Sequence, residues 1–298
     1  MEEGISGVSE IDLQVNKILT LLDHGPFVGR GTKMSKLIEV YMGVREGQTW
    51  IMSIKGESGI GKTRMATEFL DWASMQGATV LQGRAFEDGG RWPYQPLLDM
   101  LEHYRGQRMK RRHNQGMVPD PLNGMLERVI EEMRSYMFNQ YAENGQDKTE
   151  YKRLCESFTL LGQALAEQTP IILFIDDIHW SDFASLEMLQ YASRRWIESN
   201  TPILLLFSLR TEALVMLPTF ATWLAHLEHD SHAASFIVNP LQLEDSIEFV
   251  CSLAAEETLH LEGFGRWLFT ETGGQPFYIV ELLKMLFNYK MLKGRESK

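Results

Sequence analysis

Cysteine is scarce in this sequence: the 298 residues hold two, Cys155 and Cys251, far apart in the chain. Two distant thiols make neither a disulfide framework nor a metal cluster, and they read as small buried apolar residues in a reducing compartment. Long apolar runs are missing as well. Core-like runs such as Ile171 to Ile175 are one strand long, so no membrane span is expected. No basic stretch followed by an apolar one opens the chain, which argues against a signal peptide and for a soluble, cytoplasmic protein. Positive charge is in deficit, with 29 basic against 40 acidic side chains and a net charge of −11. That balance disfavours direct nucleic-acid binding, because a phosphate backbone rewards basic surfaces. Internal repeats and low-complexity tracts are absent too. What remains, 44% hydrophobic and 23% charged residues, is an ordinary globular composition, long enough for one large domain or two smaller ones.

The spacing of apolar residues orders the chain. Residues 9–22 read as an amphipathic helix capped by Ser9, with Ile11, Val15, Ile18, Leu19 and Leu22 on one face and His24-Gly25-Pro26 as its stop. It either packs on its own domain or serves as a stalk or partner helix. A helix is expected from Lys33 to Val44, then a buried strand from Thr49 to Lys55, a glycine-rich turn, a helix from Lys62 to Met75 and a strand from Ala78 to Gln82. Strand, loop, helix and strand within so short a span is the signature of a parallel sheet. Residues 95–168 read as mostly helical, with loops at Gly116 to Asn123 and Glu143 to Asp147. Within them Arg105 to Arg112 is a basic cluster, read as a solvated helix face or as a contact for acidic partners. Further strands are expected at Ile171–Ile175, Ile203–Ser208 and Ser235–Val238, with a helix from Phe183 to Ile197. Beyond Pro240 the pattern is helical only, in three segments: Leu243–Ala255, Leu259–Thr270 and Pro276–Met291. The expected architecture is an α/β three-layer sandwich around a mostly parallel five-stranded sheet, plus an all-helical C-terminal subdomain. Its divisions are an N-terminal helix (1–25), a core (26–239) and a helical lid (240–298).

The sharpest signal is Gly56-Glu57-Ser58-Gly59-Ile60-Gly61-Lys62-Thr63, which fits the P-loop pattern G-x-x-x-x-G-K-[ST] between a strand and a helix. Glycines there let successive backbone N–H groups turn inward around phosphates, and the following helix adds the positive end of its dipole. The expected nucleotide contacts come from Gly56, Ser58, Gly59, Ile60, Gly61 and Arg64. Lys62 would face the β- and γ-phosphates, and Thr63 would offer its hydroxyl to Mg²⁺. A second signal is the apolar strand that ends in Asp176-Asp177, which places two carboxylates at the sheet edge where ligands of open α/β sheets bind. Asp176 would hold Mg²⁺ and Asp177 would orient the attacking water, unless the pair merely caps the next helix. Arg210, just past the strand Ile203–Ser208, is placed to sense the γ-phosphate, so Lys62, Asp177 and Arg210 are the expected catalytic set.

Together these segments resemble the STAND branch of the AAA+ ATPases, especially the ATPase modules of large LuxR-type regulators and of multidomain nucleotide cyclases and kinases. Phe27-Val28-Gly29-Arg30 looks like the family's approach segment beside the adenine, which implies nucleotide contacts from Val28, Gly29 and Arg30. Gly83-Arg84, Pro93-Tyr94 and Pro96-Leu97 look like its stretch after the second strand. Asp176-Asp177-Ile178-His179-Trp180-Ser181-Asp182 is similar to its extended Walker B segment. Gly273-Gly274-Gln275-Pro276-Phe277 matches a lid motif, which implies that Pro276 packs near the base. One departure is Gly31, which stands after Arg30 where the family carries an acidic residue. The resemblance implies ATP or ADP with Mg²⁺ as cofactor, slow hydrolysis, and protein partners or self-assembly through downstream domains that lie beyond Lys298. A non-hydrolysing nucleotide scaffold, a DNA-associated AAA+ ATPase and a small-molecule kinase are the alternatives.

Overall fold

The computed structural model describes residues 26–87, 92–113, 121–142, 148–229, 232–253 and 260–288. The helix expected over 9–22 lies outside the described residues. The chain divides into two compact units: one comprises 33–56 and 62–237, the other 1–32, 57–61 and 238–298.

The first unit is built on five strands: β1 (Trp50–Gly56), β2 (Thr79–Arg84), β3 (Ile171–Asp176), β4 (Ile203–Arg210) and β5 (Ala233–Ile237). They pair in the order β2-β3-β4-β1-β5. Every pairing is parallel, a stricter arrangement than the mostly parallel sheet expected. The central strands β3 and β4 are apolar along most of their length and almost wholly buried, as strands with helices on both faces are. All six residues of β3 are buried, whereas the edge strand β2 buries only Leu81. Around the sheet lie α1 (Gly31–Arg45), α2 (Lys62–Met75), α3 (Gln95–His113), α4 (Pro121–Ala142), α5 (Lys148–Ala166), α6 (Phe183–Glu198), the single turn α7 (Ala213–Met216) and α8 (Pro218–His229).

Three differences from expectation have local causes. Of the loop expected over Gly116 to Asn123, residues 116–120 lie outside the described residues and 121–123 are already helical, because Pro121, whose missing N–H suits the first position, opens α4. Helices α7 and α8 fill a stretch for which the periodicity predicts no element, because Leu217 and Pro218 split the apolar repeat between them. Strands β2 and β4 each run two residues further than expected, which carries Arg84 and Arg210 into the ladder.

The core of this unit gathers Leu97, Ile130, Phe158, Ile175, Leu189, Trp196, Phe207 and Trp223 among others. Its two buried indoles are satisfied by backbone carbonyls: Trp196 Nε1 donates to Thr159 O at 2.9 Å and Trp223 Nε1 to Leu186 O at 2.8 Å. The basic cluster on α3 is only partly a solvated face. Arg105 pairs with Glu127 at 3.0 Å, and Arg108 bonds Tyr104 and Asn123, so both stems bridge to α4 or back along α3.

The second unit contains α9 (Leu243–Leu253), α10 (His260–Thr272) and α11 (Pro276–Asn288), with no strand among its described residues. Val28 joins Leu241, Phe249, Val250, Leu268, Ile279 and Leu283 in its core. No helix among the described residues is long and apolar enough to cross a membrane.

Candidate functional site

A parallel sheet delivers every strand end to one edge. In this sheet the register pairs Gly56 with Arg210 and Arg84 with Asp176. The last residues of β1 to β4 therefore stand side by side, and the first turn of α2 begins among them. Lys62, only 7% exposed, donates from Nζ to Gly56 O at 3.1 Å. Burial lowers its pKa, Asp177 opposes that shift, and Arg210 reinforces it. Lys62, Asp177 and Arg210 thus lie within electrostatic reach of one another.

Thr63 Oγ1 stands 3.0 Å and 2.9 Å from the two carboxylate oxygens of Asp176. Asp176, 4% exposed, also accepts a hydrogen bond from Ser208 Oγ. The same Ser208 oxygen accepts the backbone N–H of Asp177 at 2.8 Å. Ser208 is therefore the joint that ties both aspartates to β4. Sequence reasoning assigned it no role, although a lone hydroxyl following the apolar run Ile203 to Phe207 was the available signal. The donor set offered by Thr63 and Asp176 is oxygen only, which suits a hard cation completed by water and phosphate oxygens. Among the described residues no group of three or more His, Cys, Asp and Glu is placed to hold a metal, as a magnesium site of this open kind requires none.

Asp177 follows β3 with φ 53° and ψ 43°, a left-handed backbone that Asp and Asn tolerate better than most residues. That kink starts the short 3-10 turn Ile178–Trp180 and directs Asp177 away from the ladder. Helix capping falls to Asp182 instead of to the Asp176–Asp177 pair. Its carboxylate accepts from Ser185 N at 2.8 Å, from Ser185 Oγ, and from Tyr94 N at 3.1 Å. Asp182 thereby pins Tyr94, itself at φ 64°, to the start of α6. His179 is buried, and neither ring nitrogen has a hydrogen-bond partner among the described residues. Burial, and then the charges of Arg210 and Lys62, push its pKa down to about 4, so the ring is neutral. Arg64 points along its own helix and pairs with Glu68 at 2.6 Å.

The remaining site residues belong to the helical unit. Gly59 and Gly61 have φ of 74° and 94°, which turns the loop crown as a phosphate cradle requires. Arg30, 8% exposed, donates to Asn239 O at 2.7 Å and to Ile60 O at 3.2 Å. Burial lowers its pKa and Asp245 counteracts that. Gly29 is packed so tightly that an added Cβ would lie 2.3 Å from Asp245 Cγ. The acidic charge that acts on Arg30 comes from Asp245 in the first turn of α9. There Asp245 also accepts Gln242 N at 2.9 Å, half of a capping box. Pro276 opens α11, the next N–H, that of Phe277, donates to Gly59 O at 3.2 Å, and Gln275 Nε2 donates to Glu57 at 3.0 Å. Val28 sits in the apolar core of this unit, and Ser58 is exposed on the crown.

Known proteins are similar to this chain in sequence or in fold. An uncharacterized protein of Rhizobium meliloti (strain 1021) is 25% identical over 270 residues, 87% of this chain, and the chain spans only 25% of that relative's length. The Walker-type ATPase of Pyrococcus abyssi superposes with a TM-score of 0.54 at 14% identity, covering 89% of this chain and 70% of that one. The Drosophila ORC bound to DNA gives 0.56 at 10% identity, covering 93% and 61%. At such identities the two structures speak for the fold alone. A family profile described as the AAA ATPase domain matches residues 26–206. That match takes in the approach segment, the P-loop, both aspartates and the first half of β4, more than half of the chain, and the chain therefore belongs to the AAA ATPase domain family.

Proposed function

We propose that this chain binds ATP with Mg²⁺ and hydrolyses it slowly, as the nucleotide-responsive core of a STAND-type regulatory switch. The observation that carries the reading is the cluster of Lys62, Thr63, Asp176, Asp177, Ser208 and Arg210 at the carboxyl ends of the strands. In it Thr63 and Asp176 would hold the metal, Thr63 directly and Asp176 through water. Bound Mg²⁺ would neutralise phosphate charge. Lys62, desolvated yet cationic, would bind the β- and γ-phosphates through the charge it already carries. Asp177 would accept a hydrogen bond from the attacking water and orient it in line, while Ser208 holds the Asp177 backbone. Arg210 would stabilise charge on the γ-phosphate.

The switch element of the reading draws on the helical unit. The first turn of α11 bonds to the loop crown at Gly59, and Arg30 bonds to both Ile60 and Asn239. A crown that answers to phosphates would pass their presence to α11 and to the segment at Asn239. ATP and ADP would then favour different positions of the helices, with protein partners or self-assembly as the output. A protein partner is preferred over DNA because the net charge is −11 and because Arg105 and Arg108 are engaged within the fold.

Asp177→Asn tests the reading. Single-turnover assays with wild type should show Mg²⁺-dependent hydrolysis that drops by about a hundredfold in the variant, with ATP affinity retained. Equal, near-zero turnover in both would leave only a nucleotide-binding scaffold. Strongly salt-dependent DNA binding would instead favour a DNA-associated ATPase.

A further inference from the structure

Arg84 ends β2 directly beside Asp176 in strand register. Its Nε lies 3.9 Å from Asp176 Oδ2, and its Nη2 lies 3.9 Å from Asp177 Oδ2. Those separations are outside hydrogen-bond range, so the attraction is Coulombic rather than geometric. Asp176 takes its hydrogen bonds from Thr63 and Ser208 instead. The guanidinium stays in place by resting on the Phe86 ring, 5.3 Å from its centroid. Exposure is lopsided: 59% for the Arg84 side chain, against 6% for Asp176 and 17% for Asp177. A water-facing cation thus leans over two sunken carboxylates.

Adjacent carboxylates repel, and whichever cation reaches them gains from relieving that repulsion. We propose that Arg84 is the resident counter-charge of Asp176 and Asp177 and competes with the divalent ion for them. It compensates the pair before the metal–nucleotide complex arrives and thereby lowers the metal affinity of the site. This rests on the reading of Asp176 and Asp177 as carboxylates of a magnesium–nucleotide site. Arg84 acts through those carboxylates and is a positioning residue. Phe86 contributes by fixing where the charge stands.

Mn²⁺ binding to the whole chain saturated with ADP, followed by electron paramagnetic resonance, tests the idea without any turnover. Arg84→Gln is expected to tighten Mn²⁺ binding about three- to tenfold at low salt, with Arg84→Lys in between. The gain should shrink as added salt screens the exposed guanidinium. Arg195→Gln removes a charge from the last turn of α6, outside the cluster, and is expected to change nothing. Without metal, Arg84→Gln should melt lower than wild type and gain more on adding Mn²⁺. Unchanged or weaker Mn²⁺ binding in Arg84→Gln overturns the proposal, as does an equal gain in Arg195→Gln. Failure of the underlying reading has another signature: Asp176→Asn binding Mn²⁺ as tightly as wild type removes the metal site itself, and the proposal with it.

Discussion

Thr63 and Asp176 are 113 positions apart in the sequence, yet the threonine hydroxyl stands within 3.0 Å of both oxygens of the aspartate. The first turn of α2 and the end of β3 are thereby joined through the two groups best suited to a hard cation. If they hold Mg²⁺, Thr63→Ala should abolish most of the gain in nucleotide affinity that Mg²⁺ confers, about tenfold, and Thr63→Ser should restore it. Calorimetric titrations with and without Mg²⁺ measure this directly. An alanine variant with the full magnesium effect would contradict the assignment.

Lys62 is buried and its pKa is lowered chiefly by desolvation. A buried cation is costly unless it is used. Lys62→Ala should weaken ATP binding by more than about tenfold while leaving the melting temperature unchanged or slightly higher. Unaltered affinity would defeat the phosphate-binding role.

His179 gives the fold a pH dependence with a definite sign. Its folded pKa, pushed down to about 4 by burial and by Arg210 and Lys62, lies below its value of 6.5 in an unfolded chain, although Asp176 and Glu212 oppose the shift. Between those values the unfolded state binds the proton and the folded state does not. Stability is therefore full above about 6.5 and is lost as pH falls toward 4, by roughly 1–3 kcal/mol from this group. Urea denaturation at neutral and mildly acidic pH should show a loss that is smaller in His179→Gln, and equal slopes in the two proteins would refute this.

Two neighbouring glycines should respond oppositely to the same change. Gly29 has φ 66°, and an added Cβ would lie 2.3 Å from Asp245 Cγ, so Gly29→Ala should destabilise by about 1–3 kcal/mol. Gly31 lies at the start of α1 with nothing within 4 Å of an added Cβ, so Gly31→Ala should be neutral or slightly stabilising. Thermal unfolding of both variants decides it.

The five strands, their parallel sense and most helices were legible because each is announced by an apolar run or by a 3.6-residue repeat that tertiary packing reinforces. The P-loop was legible because its chemistry is contiguous in sequence. What stayed hidden depends on contacts between distant residues. Ser208 matters only because β4 lies next to β3, and Arg84 only because register sets it beside Asp176. Asp182 rather than Asp176 caps a helix because the chain spends a 3-10 turn between them. The acidic charge acting on Arg30 comes from Asp245, more than two hundred positions away, and no local pattern carries that.

The left-handed backbone at Asp177 limits how this position can change over time. Replacing aspartate with glutamate keeps the charge and needs a single base change, but glutamate lacks the short side chain that eases a residue into that conformation. Asparagine fits the backbone and discards the charge. The accessible path from this residue therefore leads more readily to a folded protein that has lost its carboxylate than to a longer acid in the same place. If Asp177 orients the attacking water as proposed, a folded form that binds nucleotide without turning it over lies one substitution away.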